Sequence, residues 1–158
     1  MTLININQFA QTTVRGALDQ QIAKSGVVQG QVSAANTTTP IEAGDFVDLD
    51  PAVTVVGAPQ FTTALDTDKA FGVMVFDPKA STVLTPGVIQ VAMLRNGPVV
   101  WLTASNTIAP GALVEQAASG GDVALYGTAT SILRGLALDP GSAGNLMRVV
   151  LLGSLTYP

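Results

Sequence analysis

The side chains best suited to chemistry in this sequence are its acids. Glu42, Asp45, Asp48 and Asp50 fall within nine positions, and Asp66 and Asp68 flank Thr67. A dense acidic stretch can hold calcium, and two carboxylates sharing a proton can work as an aspartic-protease pair. Neither pattern is completed. An EF-hand loop needs D-x-D-x-D-G and a distal glutamate, whereas this stretch runs D-x-x-D-x-D-P, with Asp45 and Asp48 on opposite faces of a strand. The region around Thr128–Ser131, where a second-half partner for Asp66 and Asp68 would fall, carries no acid. The acids therefore read as solvated turns and strand edges, where charge also discourages unwanted strand pairing.

Other routes to catalysis close one after another. The chain contains no histidine and no cysteine. Without an imidazole there is no Ser-His-Asp or Cys-His relay near neutral pH, and the ordinary zinc ligand sets are missing. Lys24, Lys69 and Lys79 do not follow glycine, so no Walker pattern exists, and Gln21, Asp66 and Phe76 stand where S-x-x-K would need serine. Gly141-Ser142-Ala143-Gly144 and Ser119-Gly120-Gly121 resemble phosphate cradles but open no helix and have no lysine nearby; they read as hairpin loops. The expectation is a protein without enzymatic activity, cofactor or metal.

Composition narrows the partners. Only 11% of the 158 residues are charged, against about 25% in an ordinary domain. The net charge of −4 lies in the first half: residues 1–80 hold eight acids and four bases, and residues 81–158 three of each. With no basic cluster to neutralise phosphates, nucleic acid is not expected as a partner. No apolar run reaches the roughly 20 residues that span a bilayer, and the start lacks a signal-peptide pattern, so a soluble product of the cytoplasm is expected, with no membrane association. Mean hydropathy is +0.43. Surface so poor in charge is suited to concealment in an assembly, where apolar patches become interfaces.

The elements that would position these side chains are strands. Candidates are 46–49, 53–56, 71–76, 88–94, 99–103, 112–116, 123–126, 132–138 and 147–152, with Gly, Pro, Asp and Asn punctuating the gaps. Short strands with turn signals every 8–12 residues predict an all-β fold, a small β-barrel or sandwich, over residues 41–158. Asn96-Gly97 between two apolar runs is a hairpin signal. Residues 1–35 read differently. Leu3–Asn7 alternates, residues 13–24 carry Val14, Ala17, Leu18 and Ile22 at helical spacing, and Val27–Val32 reads as a strand before a polar Asn36–Pro40 linker. This predicts an N-terminal arm with one short helix, separable from the body. Its Ile4, Ile6 and Phe9, together with the lone Trp101, are the interface candidates, since tryptophan and other apolar anchors concentrate binding energy.

The body repeats itself. Ile41-x-x-Gly44-x-x-Val47 matches Ile108-x-x-Gly111-x-x-Val114, and Phe71-Gly72 through Asp77-Pro78 matches Arg134-Gly135 through Asp139-Pro140. Gly44 and Gly111 are 67 positions apart, and Gly72 and Gly135 are 63. Halves of about 41–94 and 108–152 are expected.

The ordered motifs Ile41-x-x-Gly44-x-x-Val47, Ala70-Phe71-Gly72-Val73, Pro86–Val91, Ile108-x-x-Gly111-x-x-Val114, Gly135–Leu138 and Val149–Leu152 resemble those of the head decoration, or structural cement, proteins of tailed bacteriophages. The likeness covers about residues 40–152. It implies a compact β-barrel on the outer capsid surface of the virion, made in the bacterial host cytoplasm. The implied partners are the phage major capsid protein and further copies of itself, a homotrimer rather than a homodimer. Another virion part, a tail or fibre-base subunit, shares these features. A carbohydrate-binding β-domain is the reading from a different class, and one Trp, two Tyr and five Phe supply few aromatic platforms for it.

Overall fold

β-Branched and apolar residues in short runs, broken by glycine and proline, leave the chain little choice but strands. The computed structural model describes residues 14–18, 26–52, 57–65, 70–79, 81–94, 97–117, 121–127 and 132–156, and among them finds no α-helix. The strands are β1 (Val27–Val32), β2 (Ile41–Glu42), β3 (Phe46–Leu49), β4 (Gln60–Thr63), β5 (Gly72–Met74), β6 (Thr82–Val83), β7 (Val88–Met93), β8 (Val99–Thr103), β9 (Leu113–Gln116), β10 (Val123–Leu125), β11 (Ile132–Ala137) and β12 (Leu146–Thr156).

They build the same object twice. In the first lobe a closed barrel runs β1-β4-β3-β5-β7, and in the second a sheet runs β10-β9-β11-β12-β8. The parallel bridge between Ala104 and Val123 brings β8 back to β10, just as the parallel pair Val32 and Phe61 joins β1 to β4. The duplication holds to the level of single hydrogen bonds. Gly44 N–H donates to Met74 O and Gly111 N–H to Ala137 O, each at 2.8 Å. Gly72 pairs with Val47 and Met93, and Gly135 with Val114 and Leu151. The glycines aligned in sequence therefore occupy the same place in each lobe. Gly44 and Gly111 both hold a positive φ, +89° and +79°, which a side chain would oppose.

Two cores result. Val32, Ile41, Val47, Phe61, Met74 and Val91 fill the first barrel. The second core is larger, because Val100, Leu102, Val114, Met147 and Leu151 are continuous with Phe46, Val73, Ala92 and Leu94 from the outer face of the first lobe. Burying a side chain such as Phe46 or Leu94 contributes about 1.5–3 kcal/mol. The larger core thus spans both lobes.

Three sequence expectations are corrected. The boundary between an arm at 1–35 and a body from 41 does not hold, because Val27–Val32 is β1, paired with β7 along five residues and closing the first barrel. Its equivalent is β8, so the repeat begins at β1 and β8 rather than at Ile41 and Ile108. The Asn36 turn is structure rather than linker: Asn36 is 3% exposed and its side chain donates to Thr39 O at 3.0 Å. Secondly, residues 14–18 are not helical; a turn at Arg15–Gly16 leads to a bridge between Leu18 and Val100, and the remainder of the expected helix lies outside the described residues. Thirdly, Asn96-Gly97 joins no hairpin. Both flanks of β7 are taken by β1 and β5, so β8 crosses to the second lobe and pairs with β12.

Candidate interaction surfaces

Trp101 sits in the middle of β8, half-buried, where the N-terminal segment reaches the second lobe. Its carbonyl accepts from Gly16 N–H at 2.6 Å and its own N–H donates to Ala17 O at 2.9 Å. The Arg148 guanidinium lies over the indole, 5.8 Å from the ring centre. Asp139 fixes that guanidinium through two bonds, Arg148 Nε at 2.8 Å and Nη2 at 2.7 Å. The pairing holds the Asp139 carboxyl below the ordinary carboxylate range, chiefly through the hydrogen bond from Arg148. The interface candidate is therefore already engaged on its ring face. Ile4, Ile6 and Phe9 lie outside the described residues.

A second cluster joins the lobes. Arg134 is fully buried, with its guanidinium 5.4 Å from the Phe46 ring. It donates to Gln116 Oε1 at 3.1 Å and to Leu65 O at 3.3 Å, while Gln116 Nε2 donates to Ala64 O at 2.8 Å. Two second-lobe side chains thereby satisfy two first-lobe carbonyls. Nearby, Arg15 reaches Asp45 at 2.8 Å, Glu42 at 3.8 Å and Asp122 at 3.9 Å, so one cation ties the N-terminal segment to both lobes. Burial pushes the Asp45 carboxyl above its ordinary value, against the opposing pull of the Glu42 N–H and of Arg15. At Gly121 the two backbones close up so far that a Cβ would collide with Gly44 O.

The acidic stretch disperses into separate local bonds. Asp45 accepts from Glu42 N–H and Arg15, Asp48 from Leu49 N–H, and Asp50 from Ser33 Oγ and Ala52 N–H. Among the described residues no group of three or more acids converges on a point where a metal ion would sit. Asp66 and Asp68 lie outside them. A cleft of about 240 Å³, lined by Val14, Arg15, Glu42, Phe76 and Thr82, is smaller than the roughly 300–1,000 Å³ of small-molecule sites. No helix among the described residues is long and apolar enough to cross a membrane.

No protein-family model matches the chain, and no curated protein matches it. A solved structure does. The N base of the head fiber gp8.5 in bacteriophage phi29 superposes with a TM-score of 0.56 at 14% identity, over 83% of this chain and 98% of that one. The two proteins share a fold.

Sequence reasoning missed Arg15, Gln116 and Arg134. An arginine beside the repeated glycine, where the first lobe has Phe71, was the available signal: the sole base within a run of apolar residues marks a charge that must find partners in the interior.

Proposed function

We propose that this chain is a structural subunit of a bacteriophage virion, mounted on the outer surface of the head and bound to the major capsid protein. The observation that carries this reading is the fold likeness to the phi29 head fiber base, which takes in nearly the whole of that chain. The motif resemblance to head decoration proteins supports it independently. In this reading the protein does no chemistry. Its polar clusters hold lobe to lobe and ring to guanidinium, and it works by attachment, as a homotrimer that spans neighbouring capsid subunits and stabilises the head.

Attachment and cementing are separable. Purified protein added to expanded heads that lack it co-sediments with them at a fixed stoichiometry, and averaged images gain density outside the shell. Heads so decorated withstand heating or chelation better than bare ones. Failure to co-sediment sinks the proposal. Binding without gain in head stability favours the other virion role, a base that carries a fibre, which the phi29 likeness specifically supports.

A further inference from the structure

Duplication supplies an internal control, because a position left exposed in one lobe can be compared with its equivalent in the other. On the outer face of the first lobe, Phe46, Val73 and Ala92 form one row across β3, β5 and β7, with Leu94 at its end. These four are 0–1% exposed, because the second lobe packs on them. The same row on the second lobe is Leu113, Leu136 and Val150 across β9, β11 and β12, with Leu152 at its end. It keeps its apolar character, yet Leu113 is 38% and Leu152 41% exposed.

The covering surface has an orphaned equivalent too. In the second lobe the row of the first is continuous with Val100, Leu102 and Leu151 of the core and is flanked by Gln116, bonded to Ala64 O, and Arg134, over Phe46, which are 5% and 0% exposed. At the matching end of the first barrel stand Leu49, 42% exposed, and Phe71, half-buried beside Phe61. Both replacements turn a polar side chain into an apolar one. One chain therefore leaves open, at its two extremes, the two complementary halves of a contact that it already makes once inside itself.

We propose that copies of this chain associate head to tail, the first-lobe end with Leu49 and Phe71 of one copy seating on the second-lobe row Leu113–Leu136–Val150 of the next. The contact repeats the internal one in apolar form. It lacks the Arg15–Asp45 tie, since Ala112 stands where Asp45 would, so it is the weaker of the two. A contact between two different surfaces closes into a ring or runs on as a filament. The inference names the surfaces for the self-association proposed above, but rests on the lobe–lobe packing alone, and its test contains no capsid.

Light scattering after size exclusion gives a mass that is a multiple of the 16.1 kDa chain for the wild type. Leu49→Lys blocks one side and Leu113→Lys/Leu152→Lys the other, and each variant alone runs as a monomer that keeps a cooperative melt, now independent of protein concentration. Mixed one to one they form a dimer and stop there, because one intact half remains on each. The chain has no cysteine, so Leu49→Cys and Leu113→Cys variants give a second readout: a short bis-maleimide links them when mixed, and links neither to itself. A monomeric wild type, variants that still assemble, a mixture without dimer, or cross-links within one variant would each overturn the proposal. Normal head-to-tail association with no binding to heads sinks only the capsid reading.

Discussion

Arg148 and Arg134 occupy half-buried and fully buried sites, and each lies over an aromatic ring, but they are compensated differently. Arg148 has a carboxylate partner, and Asp139 titrates accordingly. Its folded-state value lies below the unfolded 3.8, so the stability it adds is fully present above 3.8 and drains away as pH falls through the lower value. Asp139→Asn should flatten that acid loss and lower stability at neutral pH by about 0.5–1 kcal/mol, as expected of a well-formed pair near the surface. Urea titrations at neutral pH and below 3.8 check both statements. Asp45 has the opposite sign: its value is raised, so its contribution is greatest below 3.8 and is lost as pH rises through the higher folded value. At the residue scale most of this was not legible. Asp45 and Asp139 are visible in the sequence, but nothing local says that one meets Arg15 across thirty positions and the other meets Arg148 beneath an indole.

The strands were far more legible, for physical reasons that differ from one to the next. Val99–Thr103 and Phe46–Leu49 emerge with their expected bounds because apolar runs end at sharp turn residues. Gln60–Thr63 was missed. Gln-Phe-Thr-Thr has one large apolar side chain, and its place is secured by neighbours on both sides rather than by its own pattern. The duplication was legible through glycine, and there the packing explains why. A Cβ on Gly135 would lie 2.5 Å from Val150 O and from Val149 Cγ1, and one on Gly72 would strike Ala92 O. Gly72→Ala and Gly135→Ala should each destabilise by about 1–3 kcal/mol through overpacking, read as a lower urea midpoint. Gly111→Ala has open space around it, yet φ of +79° makes it costly as well, by about 1 kcal/mol. If Gly135→Ala proves neutral, the matched registers of the two lobes do not reflect tight packing.

At the scale of the molecule, the shared core predicts a single cooperative unfolding transition. Arg134→Ala removes the guanidinium that donates to Leu65 O and Gln116 Oε1, and a hydrogen bond from a charged group is worth about 1.5–3 kcal/mol. Calorimetry should show the transition lowered, with the lobes beginning to melt apart. Removing residues 1–35 is the more drastic cut. It takes β1, which pairs with both β7 and β4, and so opens the first barrel. The truncated chain should lose its cooperative melt altogether, whereas a separable arm would leave it intact.

The order of the lobes along the chain has a consequence during synthesis. Residues 27–94 contain every strand of the first barrel, so that barrel can close while the second is still being made. Its outer row, Phe46, Val73, Ala92 and Leu94, then faces water until the remaining sixty or so residues arrive, roughly 3–12 s at 5–20 residues per second. Those four side chains, the most deeply hidden of their face in the finished protein, are the most adhesive surface of the nascent one. A ribosome stalled far enough beyond Leu94 for β7 to clear the exit tunnel would hold out a folded but sticky half-molecule, and chaperones should bind it there and release it once β8–β12 have folded onto that row.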